Sequence, residues 1–178
     1  ASNMSAFIDW NGSLVGWWRF ENNTNDSSTY ANSGTCSGSA CPEVWTGARG
    51  KAYRFDGSAD VIDVLSPSAA LKGTAALTAN MTFAAWVTLD GPLYYRGILA
   101  SEAYTLGISD TDKVTARFSD GSSIENLEST GSVTRGTYQH IVVVKNASAI
   151  RFYINGMPSG TATQTKTNTI TEFDIGRG

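Results

Sequence analysis

Two carboxylates on one face of a strand can cleave a glycosidic bond, because a retaining glycosidase holds its acid and its nucleophile about 5 to 5.5 Å apart, the reach of alternate strand residues. The carboxylates here do not build that pattern well. Glu172 and Asp174 alternate but stand without a further acid, while Asp60 and Asp63 fall on opposite faces of any strand, as do Glu125 and Glu128. The single histidine, His140, has no Gly-x-Ser-x-Gly nucleophile to activate and no second His or Cys to share a metal. It reads as a hydrogen-bonded structural residue. The residue types favour a protein that is not an enzyme.

Binding a sugar asks for less. Its apolar C–H faces stack on flat rings while its hydroxyls seek carboxylates, amides and guanidinium forks. The best cluster is Tyr94-Tyr95-Arg96, directly after the Asp90-Gly91-Pro92 turn, and two consecutive tyrosines cannot both face inward from a strand. Trp17, Trp45 and Tyr104 are further ligand-binding candidates, each weighed against ordinary partial burial. Trp86, on one face with Thr82, Ala84 and Thr88, is expected in the core.

The elements that must position these residues are strands. Ser and Thr supply 40 of the 178 residues, Gly 18 and the aromatics 19, a composition of short strands and many turns rather than helices. Turn signals recur about every ten residues, the rhythm of a sandwich or barrel. Between them lie ten strand-like runs, at 14–20, 51–55, 61–65, 81–89, 97–101, 103–108, 113–118, 138–145, 149–154 and 169–175. Residues 68–77 allow at most a short helical turn. Asn155-Gly156 predicts a type I′ hairpin, and 140–144, apolar on both faces except His140, predicts a central strand. In the first run Trp18 and Phe20 are assigned to the core, with Arg19 and Glu21 facing water.

Net charge is −3, with 13 Lys and Arg scattered singly, so no basic stripe can follow a phosphate backbone and nucleic acid is excluded as a partner. No apolar run approaches the roughly 20 residues of a membrane helix, so membrane insertion is not expected. The only cysteines, Cys36 and Cys41, enclose Ser-Gly-Ser-Ala and are spaced for a small disulfide loop, the alternative being two free thiols. Asn-X-Ser/Thr triplets stand at Asn3, Asn11, Asn22, Asn25, Asn80 and Asn146, against about 2.5 expected from composition. Both features favour an extracellular or cell-surface setting. The start Ala1-Ser2-Asn3 reads as a processed or excised piece of a longer protein.

The succession LVGWWRFE at 14–21, NDSS at 25–28, GARGKAYRFDGSADVIDV at 47–64, MTFAAWV at 81–87, RGTYQHIVVV at 135–144, RFYINGMPSG at 151–160 and FDIGRG at 173–178 resembles the LamG-like jelly-roll domains of the concanavalin A-like lectin/glucanase superfamily. The resemblance implies an all-β fold, a two-sheet antiparallel β-sandwich with loops gathered at its rim. Glucanase members carry a Glu-x-Asp-x-(x)-Glu strand, which Glu172-Phe173-Asp174 lacks in its last Glu. Such domains continue past the Ile-Gly strand, whereas here the chain stops at Gly178, which leaves three expectations: the last strand is cut away and residues 1–13 are a linker, residues 1–13 close the open sheet edge, or a neighbouring chain does. Relatives also hold a structural calcium ion near the rim. Asp26 in NDSS stands where the family has Asp-x-Ser-Gly, which makes Asp26 the first expected Ca2+ ligand, with Ser28 or Asn32 carbonyls and Asp56 or Asp174 completing the set. The other reading of that loop is a solvated Asx turn.

Taken together, the sequence predicts one domain over 1–178: a non-catalytic carbohydrate-binding or adhesion module of a larger secreted or surface protein, with a glycan or glycoprotein as partner. The rival is a structural unit of a surface layer or filament that binds no sugar, and the third reading is a glucanase.

Overall fold

A computed structural model of the chain describes residues 13–71, 80–91, 95–166 and 173–176. Twelve strands are formed among them: β1 (Glu43–Thr46), β2 (Lys51–Arg54), β3 (Ile62–Asp63), β4 (Met81–Val87), β5 (Arg96–Ala100), β6 (Tyr104–Ile108), β7 (Lys113–Ser119), β8 (Ile124–Ser132), β9 (Gln139–Asn146), β10 (Ala149–Ile154), β11 (Met157–Thr163) and β12 (Asp174–Ile175). A 3-10 turn covers Gly38–Ala40. The strands make a six-stranded sheet in the order β3-β12-β5-β6-β7-β8, a four-stranded sheet in the order β11-β10-β9-β4, and the β1-β2 hairpin. Every pairing is antiparallel.

Period-2 alternation builds the core between the two large sheets. From the six-stranded sheet come Leu106, Ile108, Val114, Ala116 and Phe118, and from the other Ile141, Val143, Ile150 and Phe152, all buried. As expected, β9 is central, paired with β10 on one side and β4 on the other. Asn155 and Gly156 sit at φ of 51° and 77°, the left-handed pair that a type I′ turn requires. Trp18 and Phe20 pack on the core, Trp18 stacked on Phe173 at 5.7 Å between ring centroids.

Three expectations change. Residues 14–20 make only the bridge Trp18↔Asp26 and no regular strand, because their backbone is held instead by the Asx-rich loop opposite. Trp86 does share a face with Thr82 and Ala84, but it is the outer face: the indole is 54% exposed beside His140, while Phe83, Ala85 and Val87 pack on the core. Strands β1, β8 and β11 were not legible as strands, since their sequences EVWT, IENLESTGS and MPSGTAT are polar or broken by Pro and Gly. Residues 68–71 end in a turn, and 72–79 lie outside the described residues. So do residues 1–12, on which the expected closing segment falls.

Candidate functional site

Strands β6, β7 and β8 turn one set of alternate residues to the core and the other outward. On the outward set, Thr105, Gly107 and Ser109 of β6 and its end stand beside Lys113, Thr115 and Arg117 of β7. Next come Asn126 and Glu128 of β8, paired with Arg117 and Thr115. Tyr95, just ahead of β5, swings over this surface. A Cβ on Gly107 would lie 2.8 Å from the Tyr95 hydroxyl oxygen and 2.4 Å from the Arg96 carbonyl, so only glycine leaves room for the ring. The Arg117 guanidinium rests on the same ring, 4.8 Å from its centroid.

These residues enclose a cleft of about 250 Å³ lined by Tyr95, Ser109, Asp110, Arg117, Asn126 and Glu128. Glu128 stands 4.0 Å from Lys113 Nζ, and the Asn126 amide donates to Glu128 Oε1 at 3.5 Å. Ser109 is held in the β6–β7 turn, its hydroxyl accepting from the backbone N–H of Lys113. Two buried hydroxyls on this sheet face, Tyr95 Oη and Thr115 Oγ1, have no hydrogen-bond partner among the described residues. Thr115 is fully buried, and its cross-strand partner is the same Gly107 that the Tyr95 ring crosses. Leaving a buried hydroxyl unpaired costs about 1–3 kcal/mol.

The other sequence candidates lie elsewhere. Tyr94 lies outside the described residues. Arg96, one residue after Tyr95, turns the other way, its guanidinium 3.5 Å from the Asp90 carbonyl. It sits near the rim pair in which Arg135 grips Asp112 through two hydrogen bonds of 2.7 and 2.6 Å. Burial and the neighbouring Arg135 charge lower its affinity for its proton. Tyr104 is a correction: it is 5% exposed, packed against Phe83 and Phe173, because its position on β6 pairs with Phe118 and faces inward. Burial pushes its phenol well above the ordinary value, and it cannot serve as a platform. Trp17 and Trp45 are exposed, each under an arginine, Arg19 at 5.6 Å and Arg54 at 5.2 Å, but neither lines the cleft.

Of the expected calcium ligands, Asp26, Ser28 and Asn32 share one hydrogen-bonded loop. The two Asp26 oxygens accept from the N–H groups of Trp17, Ser28 and Asn32 at 2.7, 2.8 and 2.8 Å and from the Ser28 hydroxyl at 2.6 Å. Burial alone would raise the Asp26 pKa, and these bonds bring it below the usual carboxylate value. The Asn32 carbonyl accepts the Trp18 indole N–H at 2.9 Å, and its side chain bonds Val15 and Ser68. Asp56 accepts from Ser58 and Ala59 within its own exposed turn, and Asp174 is buried in β12 opposite Asp63. Asp26 thus spends four acceptor positions on donors of its own loop. Among the described residues no group of three or more His, Cys, Asp or Glu could hold a metal. Cys36 and Cys41 are joined in a disulfide. Of the glycosylation triplets, Asn22, Asn25, Asn80 and Asn146 are exposed, while Asn3 and Asn11 lie outside the described residues.

Two solved structures share this architecture. Domain 4 of AbnA, a GH43 extracellular arabinanase from Geobacillus stearothermophilus, solved in complex with arabinotriose, superposes with a TM-score of 0.65 at 13% identity over 92% of each chain. The binding domain of botulinum neurotoxin DC, in complex with SialylT, gives 0.63 at 10% identity over 94% of this chain and 43% of that one. No curated protein sequence matches the chain. A family model described as the concanavalin A-like lectin/glucanases superfamily, of the third laminin-G type, matches residues 56–178. The chain belongs to this laminin-G family. The match takes in every cleft residue of this laminin-G domain, including Arg117, Asp110, Asn126 and Glu128, none of which was singled out as a ligand contact from sequence. Their signal was hidden because Asp110 reads as a hairpin tip and Asn126 and Glu128 stand on a strand that does not look like one.

Proposed function

We propose that this laminin-G domain is a non-catalytic carbohydrate-binding module whose ligand sits in the cleft over β6, β7 and β8. The observation that carries the reading is Tyr95 laid across Gly107 and capped by Arg117, with Asn126, Asp110 and Glu128 around it. A guanidinium that makes no ion pair among the described residues, an amide and acceptor carboxylates in one small cleft supply what sugar hydroxyls need, and Tyr95 positions the guanidinium. Kinship in fold with a domain solved holding arabinotriose supports the reading. So does the disulfide, which suits an oxidising compartment outside the cytosol, where the exposed Asn-X-Ser/Thr triplets would also be used.

A glycan array probed with the folded domain tests this. Binding is expected, lost on Tyr95→Ala and kept on Trp86→Ala, whose ring lies on the opposite sheet. Absence of binding to every glycan, or binding indifferent to Tyr95→Ala, overturns the proposal. Release of reducing sugar from any bound polysaccharide would overturn its non-catalytic part.

A further inference from the structure

The charges lining the cleft narrow the ligand class. Arg117 has its face on Tyr95 and, among the described residues, no carboxylate within ion-pair distance, so its N–H fork is open to a ligand. Yet the same 250 Å³ also holds two carboxylates, Asp110 and Glu128, of which only Glu128 has a cationic neighbour, Lys113 at 4.0 Å. Formal charges cancel only when Lys113, which stands behind Glu128 and does not line the cleft, is counted with Arg117 against Asp110 and Glu128. An acidic sugar entering here would gain Arg117 and face two anions at close range. A cationic amino sugar would gain the carboxylates but meet Arg117 and, behind Glu128, Lys113.

A neutral polyol meets every group in its preferred sense: Arg117 and the Asn126 amide donate to hydroxyl oxygens, while Asp110 and Glu128 accept hydroxyl protons. The cleft offers about 250 Å³, room for one ring against these groups. On these observations, and resting on the carbohydrate-binding reading above, we infer that the domain recognises a single neutral sugar ring through vicinal hydroxyls clasped between Arg117 and the Asp110 and Glu128 carboxylates, and that it rejects acidic sugars.

Calorimetric titration of the folded domain separates the alternatives, using neutral oligosaccharides of arabinose, galactose, glucose and fructose beside sialyllactose and oligogalacturonate. Neutral probes are expected to bind at least about tenfold more tightly than acidic ones, with affinity changing less than about twofold between roughly 0.05 and 0.5 M salt. Arg117→Ala is expected to weaken the neutral ligand by about tenfold or more, and the double variant Asp110→Asn, Glu128→Gln to narrow the gap between neutral and acidic probes. Tighter binding of the acidic probes, lost on Arg117→Ala, would overturn the inference while leaving carbohydrate binding intact. No heat with any probe from a protein that melts cooperatively would overturn both.

Discussion

Tyr95 and Gly107 show how one missing side chain places another. With the Arg96 carbonyl 2.4 Å from where a Cβ would go, Gly107→Ala must move backbone as well as the Tyr95 ring. It is expected to destabilise the domain by about 1–3 kcal/mol in chemical denaturation. The unpaired hydroxyls predict the opposite sign. Thr115→Val keeps the shape and removes an orphaned oxygen, so the free domain is expected to be as stable or up to about 1 kcal/mol more stable, read as a shift in denaturation midpoint. Asp26 supplies a pH test. Its folded pKa lies below the unfolded value of 3.8, so it stabilises the fold above that pH and the contribution is lost as pH falls through the folded value. Asp26→Asn is therefore expected to be less stable than the parent at neutral pH, with the difference shrinking in melts taken below about pH 4. From sequence, Tyr95 was visible as a ring after a turn, and Asp26 as an oxygen-rich centre. Whether the groups around Asp26 would be acceptors or donors was not, because Trp17 and Asn32 reach it with backbone N–H groups that any residue carries.

At the level of elements, legibility followed hydrophobic contrast. β9 and β10 read clearly because Ile141, Val143, Ile150 and Phe152 alternate into the core and Asn155-Gly156 marks the turn between β10 and β11. That turn carries its own prediction: Gly156→Ala, at φ of 77°, is expected to cost about 1–2 kcal/mol in a thermal melt while leaving glycan binding unchanged. β8 was illegible because it lies at the end of the six-stranded sheet with few apolar residues, Leu127 packing on the core and Glu125 accepting from Thr165 at the margin. A strand held by its neighbour's backbone rather than by its own side chains leaves little pattern to read. Two of the cleft residues ride on it. Trp86 failed for a related reason, since both faces of β4 carry an aromatic ring and alternation alone does not say which is inside.

Across the whole molecule, the six-stranded sheet sets two features at opposite ends. The Cys36–Cys41 loop joins the β3 side, where Thr35 bridges Asp63 and Val61 donates to the Ala40 carbonyl. The cleft occupies the β6-β7-β8 side. Closing so short a loop is worth about 2 kcal/mol of chain entropy, so the double variant Cys36→Ser, Cys41→Ser is expected to unfold at lower denaturant with unchanged affinity for sugar. A fall in affinity matching the fall in stability would contradict the separation. The same separation gives the domain a back and a front. A bead or sensor chip coupled chemically beside the disulfide would hold the protein by its back, and dissociation times recorded there would report the sugar leaving rather than a blocked entrance.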